Sequence, residues 1–239
     1  MPLLEKRVGK ILRNGDVLVI SSKYVAISEG RTVALISVRP GAKAKELARV
    51  HRMDPRLCEL ILRESDLIIG GIPGFLLTNK EGLLTPNAGI DKSNIEHGKV
   101  VLYPRRPETS ARRIRDAIKF DLGVNVGVVI CDSRLMPTRR GTVGVALAAV
   151  GFKAIKDLRG KKDLFGNVLR VTSQAIADDL SSSAQLLMGE SDEAVPVVLV
   201  RGLDARLLGD TAYPPERFSI SMDEDVFLRS LGYSEPGRS

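Results

Sequence analysis

The chain has 239 residues, of which 44% are hydrophobic and 27% charged, so it carries enough apolar material for one large domain or two small ones. Its apolar runs are far shorter than the roughly 20 residues that cross a bilayer, and its start lacks the apolar segment of a secretory signal, so we expect a cytoplasmic protein without a membrane partner. The net charge of +7 favours anionic ligands, whereas an aromatic content of 4% without Trp argues against nucleic acid and for a small phosphorylated ligand.

The first third of the chain predicts a strand followed by two helices. Val17–Ser21 is a short apolar run typical of a buried strand, and Tyr24–Ile27 is interpreted as its continuation or as a strand beside it. Ala42–His51 and Asp54–Ser65 show the apolar spacing of helices. The second of these begins with an aspartate at the N-cap position, followed by Pro55, which is favoured at the first helical position. Both helices are expected to serve packing and not to form a site.

A loop rich in small polar residues follows a predicted β-meander. Leu67–Ile72 and Phe75–Thr78 predict two strands separated by a tight turn. The loop 85–94 then contains little apolar material, and loops of this kind often carry function. Asp91 in this loop is a candidate metal ligand. It also fits a turn in which its carboxylate caps the backbone near Ser93, which is the more common role of such a residue.

An amphipathic helix is predicted over Glu108–Leu122, ended by Gly123. Its exposed face is expected to carry four basic residues: Arg112, Arg113, Arg115 and Lys119. Such a face is usually a solvated surface, and it also fits a positive field around an anionic site.

The middle of the chain carries the strongest indication of a site. The apolar run Val128–Ile130 predicts a strand that brings Asp132 and Ser133 to its carboxyl end, and a turn then leads to Arg139 and Arg140. A carboxylate and a hydroxyl suit a hard divalent cation, and guanidinium groups hold phosphate oxygens in pairs. Metal plus phosphate is one hypothesis. An ordinary strand end followed by a solvated basic turn is the other, and these residues alone do not decide between them.

The last third predicts a short strand at Val168–Val171, a helix over Gln174–Met188 and a buried strand at Val195–Val200. The buried side of the helix is expected to include Ile176, Leu180 and Leu187. An acidic loop follows this helix, where negative charge opposes the helix dipole unless a cation offsets it. Glu190 is therefore a candidate metal ligand, with a solvated acidic turn as the alternative.

Four segments together resemble the coenzyme F420-0:L-glutamate ligase family. They are residues 17–31 (VLVISSKYVAISEGR), 85–94 (TPNAGIDKSN), 127–166 (GVVICDSRLMPTRRGTVGVALAAVGFKAIKDLRGKKDLFG) and 186–203 (LLMGESDEAVPVVLVRGL). The resemblance implies an α+β fold with mixed and antiparallel sheets and flanking helices. It implies one catalytic unit over residues 1–239, with two subdomains as an option, and an intertwined homodimer. The apolar run Val143–Val150 is the expected contact surface of that dimer.

The resemblance also implies an activity. It is the GTP-dependent addition of L-glutamate to the terminal carboxylate of coenzyme F420-0, followed by a second, γ-linked glutamate. The implied cofactors are two divalent ions, Mg²⁺ or Mn²⁺, with K⁺ as a further candidate. GTP, L-glutamate and coenzyme F420-0 are therefore the expected partners of the protein.

Residue roles follow from the same resemblance. Asp91 and Asp132 would be ligands of one metal ion, and Ser133 and Glu190 would be ligands of a second. The residues expected to contact the nucleotide are Pro2, Leu3, Leu4, Lys23, Asn94, Met188, Gly189, Ser191, Asp192, Glu193, Ala194 and Val195. Arg139 and Arg140 match the family's basic turn and are the catalytic candidates, because guanidinium groups stabilise phosphate or carboxylate charge.

Two departures from the family's pattern leave the nucleotide and the acceptor open. The family's Ser-Lys-Ala-Glu-Gly pattern contains a lysine that contacts the nucleotide, and Ile27 stands at this place. Lys23, four residues earlier, is the candidate to supply the charge instead. Arg134–Met136 replaces the usual Asn-Gly-Arg. Three hypotheses follow: the F420 glutamyl ligase, a related NTP-dependent amide ligase with another acceptor, and a non-catalytic nucleotide-binding or structural homologue.

Overall fold

A computed structural model describes residues 11–233 of the chain. It contains two compact units, one formed by residues 11–33 and 91–214 and the other by residues 34–90 and 215–233. Both helices and strands are present in the predicted α+β manner. The nucleotide-contact candidates Pro2, Leu3 and Leu4 lie outside the described residues.

Eighteen helices and strands follow one another along the described chain. In order they are β1 (Val17–Ser21), α1 (Ser22–Ser28), β2 (Thr32–Ala34), α2 (Ala42–His51), α3 (Pro55–Glu64), β3 (Leu67–Ile72), β4 (Phe75–Lys80), β5 (Leu83–Pro86), β6 (Lys99–Val101), α4 (Pro107–Leu122), β7 (Gly127–Leu135), β8 (Thr142–Phe152), β9 (Lys156–Asp157), β10 (Ser173–Gln174), α5 (Ile176–Met188), β11 (Val197–Val200), β12 (Leu208–Tyr213) and α6 (Val226–Ser230). Of the helices in residues 11–233, none has the length and apolar character needed to cross a membrane.

The first unit is built on a five-stranded sheet with the strand order β11-β1-β7-β8-β12. β1 and β7 are parallel and the other neighbours are antiparallel, so the sheet is mixed. The central strands bury consecutive residues and not alternate ones, because Val17 to Ile20 and Val128 to Ile130 are all 0% exposed. Helices α4 and α5 both pack on β7 and β8. Strands covered on both faces in this way require continuous apolar runs.

A β-bulge interrupts the pairing of β7 and β8 just before the polar end of β7. Ile130 pairs with Ala148, whereas the next residue, Cys131, pairs with Ala146, so one residue of β8 is left without a partner. The carboxylate of Asp178 on α5 accepts a hydrogen bond from Ala146 N–H at 2.8 Å. A helix side chain thus satisfies a strand backbone group at the bulge, and burial raises the pKa of the Asp178 carboxyl.

Gly144 of β8 lies directly against the backbone of α5. A Cβ at this position would overlap the carbonyl oxygen of Ser181 and lie 2.8 Å from the backbone nitrogen of Ser182. We expect Gly144→Ala to lower the free energy of unfolding by about 1–3 kcal/mol, as overpacking does, in urea denaturation. Gly209→Ala on β12 is the control, because its Cβ would meet only Thr211 Oγ1 at 3.8 Å. Equal losses in the two variants would contradict the prediction.

The second unit combines the packed helices α2 and α3 with the antiparallel sheet β3-β4-β5. The predicted meander is confirmed, with its second strand extending to Lys80 and not ending at Thr78. The predicted start of α3 is also confirmed, since the Asp54 carboxylate accepts a hydrogen bond from Arg56 N–H at 2.8 Å and Pro55 opens the helix. The buried face of α3 consists of Leu57, Cys58, Leu60 and Ile61.

The predicted strand at Tyr24–Ile27 is wrong, because these residues form most of α1. The backbone N–H groups of Glu29 and Gly30 donate to carbonyl groups of this helix, and Gly30, with a φ of 69°, lies just beyond its end. Burial also follows a helix, since the adjacent residues Val25 and Ala26 are both buried. Residues four apart in this segment therefore share one face.

The predicted strand at Val168–Val171 is also wrong. Its pairing is a single isolated bridge from Val168 to Lys162. Residues 158–172 instead form a long excursion, called the arm below, whose base is closed by the pairing of β9 with β10. Three of its apolar side chains are almost fully exposed among residues 11–233: Leu164 is 99%, Phe165 91% and Val171 88% exposed.

On α5 the predicted burial of Ile176 is confirmed, whereas that of Leu187 is wrong. Leu187 is 66% exposed. The buried side of α5 consists of Ile176, Ala177, Ser181 and Ala184. Small side chains on this face allow the close approach to β8 seen at Gly144. On α4, Arg115 does not belong to the solvated face, because its guanidinium donates to the Val126 carbonyl oxygen and to Asp210.

Most of the apolar run Val143–Val150 is buried within the first unit, although Val143 at its start is 38% exposed. Residues 145–150 are each at most 8% exposed, and their strand packs against β7, β12, α4 and α5. Residues 145–150 therefore belong to the core of the first unit and cannot form the predicted dimer contact, and the dimer itself stays a prediction.

Candidate functional site

A cavity of about 480 Å³ opens in the first unit where the parallel pairing of β1 and β7 ends. Its walls come from the β1–α1 junction, residues 91–94, the end of β7 with its neighbour on β8, and residues 185–196. Both the volume and the position are typical of ligand sites. The predicted site residues that line it are Lys23, Asp91, Asn94, Asp132, Ser133, Met188, Gly189, Glu190, Ser191, Asp192, Ala194 and Val195.

Asp132 lies within β7, just beyond the point where the parallel pairing of β7 with β1 ends. The predicted strand end at Asp132 and Ser133 is wrong, because β7 continues to Leu135 in its pairing with β8. The parallel register of β1 and β7 places Ser22, the first residue of α1, beside Asp132. The hydroxyl groups of Ser22 and Tyr103 and the backbone N–H of Ser133 lie near its carboxylate and favour its ionised form. Burial nevertheless raises the pKa of Asp132 to about 6, and the negative charge of Asp91 acts in the same direction. The two acids therefore lie close enough to influence each other.

Asp91 is held in a compact ion-pair network. Its Oδ2 lies 2.6 Å from Lys23 Nζ. Ser93 donates twice to the carboxylate, from N–H to Oδ1 and from Oγ to Oδ2, each at 2.8 Å. Burial acts to raise the pKa of Asp91, but the bonds from Lys23 and Ser93 outweigh it and hold this pKa below its ordinary value. The predicted turn with Ser93 is confirmed, and the ion pair with Lys23 adds to it.

Lys23 and Ile27 lie one helical turn apart on α1, and both line the cavity. On the predicted strand, Lys23 and position 27 would have been about 13 Å apart along the chain, and Lys23 could not have replaced a lysine at position 27. Among residues 11–233, Lys23 is the only basic side chain in the wall of this cavity. The structure thus places Lys23 where it can act in the same space as the residue at position 27.

The loop 189–195 closes one side of the cavity through backbone hydrogen bonds. Asn94 Nδ2 donates to the carbonyl oxygen of Ser191. The Glu193 carboxylate accepts a hydrogen bond from Ser191 N–H at 2.9 Å. Gly189 has a φ of 71°, and a Cβ there would overlap the Glu193 carboxyl, so the loop needs glycine at this position.

The oxygen donors of the cavity fit a hard divalent cation. The carboxylates of Asp91, Asp132 and Glu190 and the hydroxyl of Ser133 are the ligand types that Mg²⁺ and Mn²⁺ prefer. Within residues 11–233, however, no three His, Cys, Asp or Glu side chains are already gathered around one ion position. At Asp91 the reason is visible, because the ammonium of Lys23 occupies the space beside the carboxylate.

Two predicted catalytic residues are not brought to the cavity. Arg139 and Arg140 are exposed in the turn between β7 and β8 and do not line its wall. Glu193 also lies outside the wall, since its carboxylate binds its own loop. The roles of these three residues stay predictions. Glu190, by contrast, is tied to β8 by a hydrogen bond from Thr142 Oγ1 at 3.1 Å.

Ser22 and Tyr103 contact the site acid Asp132 and were not predicted. For Ser22 the sequence held a usable indication, because it directly follows a buried strand and the carboxyl ends of parallel strands meet at one edge of a sheet. Predicting β1 and β7 as parallel neighbours would have placed Ser22 beside Asp132. Tyr103 follows β6, and no local pattern points to it, because its approach to Asp132 depends on tertiary packing.

Comparisons with known proteins agree with the motifs. A family model described as F420-0:Gamma-glutamyl ligase matches residues 3–202. The coenzyme F420:L-glutamate ligase of Methanopyrus kandleri is 42% identical over 220 residues, which cover 92% of this chain and 84% of the relative. The protein of the same name from Archaeoglobus fulgidus is 39% identical over 218 residues, or 91% of this chain and 86% of the relative. That from Methanocaldococcus jannaschii is 40% identical over 192 residues, or 80% and 77%.

Proposed function

Because the chain belongs to the F420-0:gamma-glutamyl ligase family, we propose that it joins L-glutamate to coenzyme F420-0 through an amide bond, with GTP as the energy source. The names of the relatives support the two substrates that are joined. The cavity is the observation that carries the proposal, because it gathers Lys23, Asp91, Asp132 and Glu190 from separate parts of the chain. With one ammonium and several carboxylates, the cavity suits a nucleotide that binds together with divalent cations, because these cations offset the negative charge of both the phosphates and the carboxylates.

The proposed chemistry has two steps, because a carboxylate is a poor electrophile and must be activated before an amine can attack it. First, an oxygen of the terminal carboxylate of F420-0 attacks the γ-phosphorus of GTP, and GDP leaves, which gives an acyl phosphate. Second, the amine of L-glutamate attacks the acyl carbon, the amine loses a proton to solvent, and phosphate leaves with the bonding electrons. A second round on the γ-carboxylate of the added glutamate would give the γ-linked product.

The residues of the cavity would position the nucleotide for the first step. Lys23 would bind a phosphate oxygen as a point charge. Asp91, Asp132, Ser133 and Glu190 would hold the two divalent ions, which would neutralise the charge of the phosphates when bound. Asn94 fixes the loop 189–195, which would contact the base. Arg139 and Arg140 are proposed to stabilise charge on the transferred phosphoryl group.

Incubation of the purified protein with F420-0, L-glutamate, GTP and Mn²⁺ tests this function. Mass spectrometry should show F420-0 extended by one glutamate residue, with an equal amount of GDP formed. ATP in place of GTP tests the nucleotide preference, and extension in several steps tests the number of glutamates. Product with another acceptor but none with F420-0 would indicate the related amide ligase.

We also propose that the protein is a homodimer held together by the arm. Leu164 and Phe165 are almost fully exposed there, and Leu186 and Leu187 at the end of α5 are 86% and 66% exposed. Exposed apolar side chains gathered on one segment mark an interaction surface. An arm that packs on a second copy would give the intertwined pairing, and obligate interfaces of this kind usually bury more than about 2,000 Å².

Light scattering tests the dimer. The wild type should have the mass of two chains at low micromolar concentration, and the double variant Leu164→Ser with Phe165→Ser should shift toward the monomer, because it removes apolar contact area. Phe120→Ser is the matched control, since Phe120 is 90% exposed on α4 and lies outside the arm. A wild type that stays monomeric would exclude the dimer, and equal effects of the arm and control variants would exclude the arm as the interface.

A further inference from the structure

The ammonium group of Lys23 is held by three oxygen atoms of Asp91 and Ser93. Its Nζ lies 2.6 Å from Asp91 Oδ2, 2.8 Å from Ser93 Oγ and 3.1 Å from the Ser93 carbonyl oxygen. Ser93 Oγ and Asp91 Oδ2 also lie 2.8 Å from each other, so both oxygens meet the same side of the ammonium. A phosphate oxygen that binds Lys23 must therefore compete with these oxygens, and above all with the charged carboxylate of Asp91.

Both oxygens of the Asp91 carboxylate already have partners in Ser93 and Lys23. Its Oδ1 accepts a hydrogen bond from Ser93 N–H, and its Oδ2 accepts one from Ser93 Oγ beside the ammonium of Lys23. A divalent cation that approached Oδ2 would meet the positive charge of Lys23 at close range. A metal ion and Lys23 therefore compete for this oxygen.

We propose that Lys23 is a built-in cation that occupies Asp91 until a metal–nucleotide complex arrives, and that it then moves to a phosphate of the nucleotide. This inference rests on the proposed function for the identity of the ligands and adds the order in which they bind. A metal ion alone must displace the ammonium from Asp91 and leave it without a negatively charged partner. A metal ion bound to a nucleotide brings phosphate oxygens that accept the displaced ammonium.

Because position 27 is an isoleucine, Lys23 alone must supply the positive charge in this exchange. Ile27 lines the cavity one turn from Lys23 and offers no charge, so the chain has no second ammonium on this face of α1 to receive the phosphate. A lysine has a flexible four-carbon stem, which allows its charge to move between two partners. Mn²⁺ and GTP should consequently bind cooperatively, each with higher affinity when the other is present.

Titration calorimetry of Mn²⁺ into the purified full-length protein tests the exchange without nucleotide. Lys23→Met keeps the apolar stem and removes the charge, so this variant should bind Mn²⁺ about tenfold to a hundredfold more tightly than the wild type, the usual range for a charged hydrogen bond. GTP should raise the Mn²⁺ affinity of the wild type and raise that of the variant by a smaller factor. Circular dichroism checks the fold, and Lys23→Gln serves if Lys23→Met does not fold.

Two controls separate the exchange from general electrostatics. Lys92→Met removes the same charge from the exposed neighbour of Asp91 and should leave Mn²⁺ affinity within about twofold of the wild type. Asp91→Asn added to Lys23→Met should cancel the gain. The proposal is overturned if Lys23→Met gains no more than Lys92→Met, if the gain survives the loss of the Asp91 carboxylate, or if none of the proteins binds Mn²⁺.

The outcome is independent of turnover. Tighter Mn²⁺ binding by Lys23→Met together with no product from the wild type in the glutamate assay would support the exchange and reject the proposed function. Product formation together with non-cooperative binding of Mn²⁺ and GTP would reject the exchange alone.

Discussion

Asp132→Asn should make the metal-free protein more stable at pH 7 while it abolishes glutamate transfer. Burial raises the pKa of Asp132 from 3.8 to about 6, so the folded state disfavours the ionised carboxylate. Between these two values the folded protein holds a proton that the unfolded chain has released, and the stability of the wild type therefore falls as pH rises through this window. The neutral amide avoids this loss, which is at most about 3 kcal/mol for such a pKa difference.

Urea unfolding of the chelator-treated protein at about pH 4 and pH 7 measures this effect. Asp91→Asn is the matched control in the same cavity. Lys23 and Ser93 hold the pKa of Asp91 below its ordinary value, so its charge stabilises the fold above about pH 4, and its loss should lower stability at pH 7. Both variants should lose glutamate transfer, because each removes a candidate metal ligand. A less stable Asp132→Asn protein at pH 7 would contradict the role assigned to burial.

Lys23→Ala should weaken GTP binding in the presence of Mn²⁺ about tenfold to a hundredfold, because a charge-assisted contact to phosphate contributes roughly 1.5–3 kcal/mol. The structure favours this result, since Lys23 is the only basic wall residue of the described part of the cavity and shares a helix face with position 27. For the same reason Ile27→Lys should change GTP affinity little. Calorimetry with Mn²⁺ present measures both constants.

The opposite pattern of GTP affinities would assign Lys23 a different role. If Lys23→Ala leaves GTP binding unchanged and Ile27→Lys improves it, Lys23 serves Asp91 alone and the chain lacks the phosphate contact. If the wild type binds neither GTP nor any other nucleoside triphosphate, the ligase proposal fails and the non-catalytic homologue takes its place.

Local sequence patterns correctly predicted those helices and strands whose formation depends on residues adjacent in the sequence. The apolar runs predicted β1, β7 and β11 because strands covered on both faces need apolar residues at consecutive positions. The aspartate and proline before α3 predicted its start because a cap acts on the next two or three backbone groups. Motif resemblance supplied most of the cavity wall, from Asp91 to the loop after α5.

Local patterns failed where packing chooses between conformations of similar intrinsic preference. Tyr24–Ile27 contains residues that suit a strand, yet it forms a helix whose buried side contains Val25 and Ala26. Leu187 has the right spacing for burial on α5, but the helix approaches β8 through its small residues and leaves Leu187 exposed. Neither outcome can be decided without the neighbouring elements.

The sequence by itself determined the family, the main helices and strands, and which acids and hydroxyls could meet a metal ion, because these depend on residue type and on spacing along the chain. Only the tertiary structure decided how their charges are arranged. Lys23 bonds to Ser93, 70 residues away, through a loop contact that no periodicity encodes. The raised pKa of Asp132 and the lowered pKa of Asp91 come from burial and from partners that folding brings together. Electrostatic energies depend on distance and burial in space, and both are fixed only when strand register and helix packing are complete.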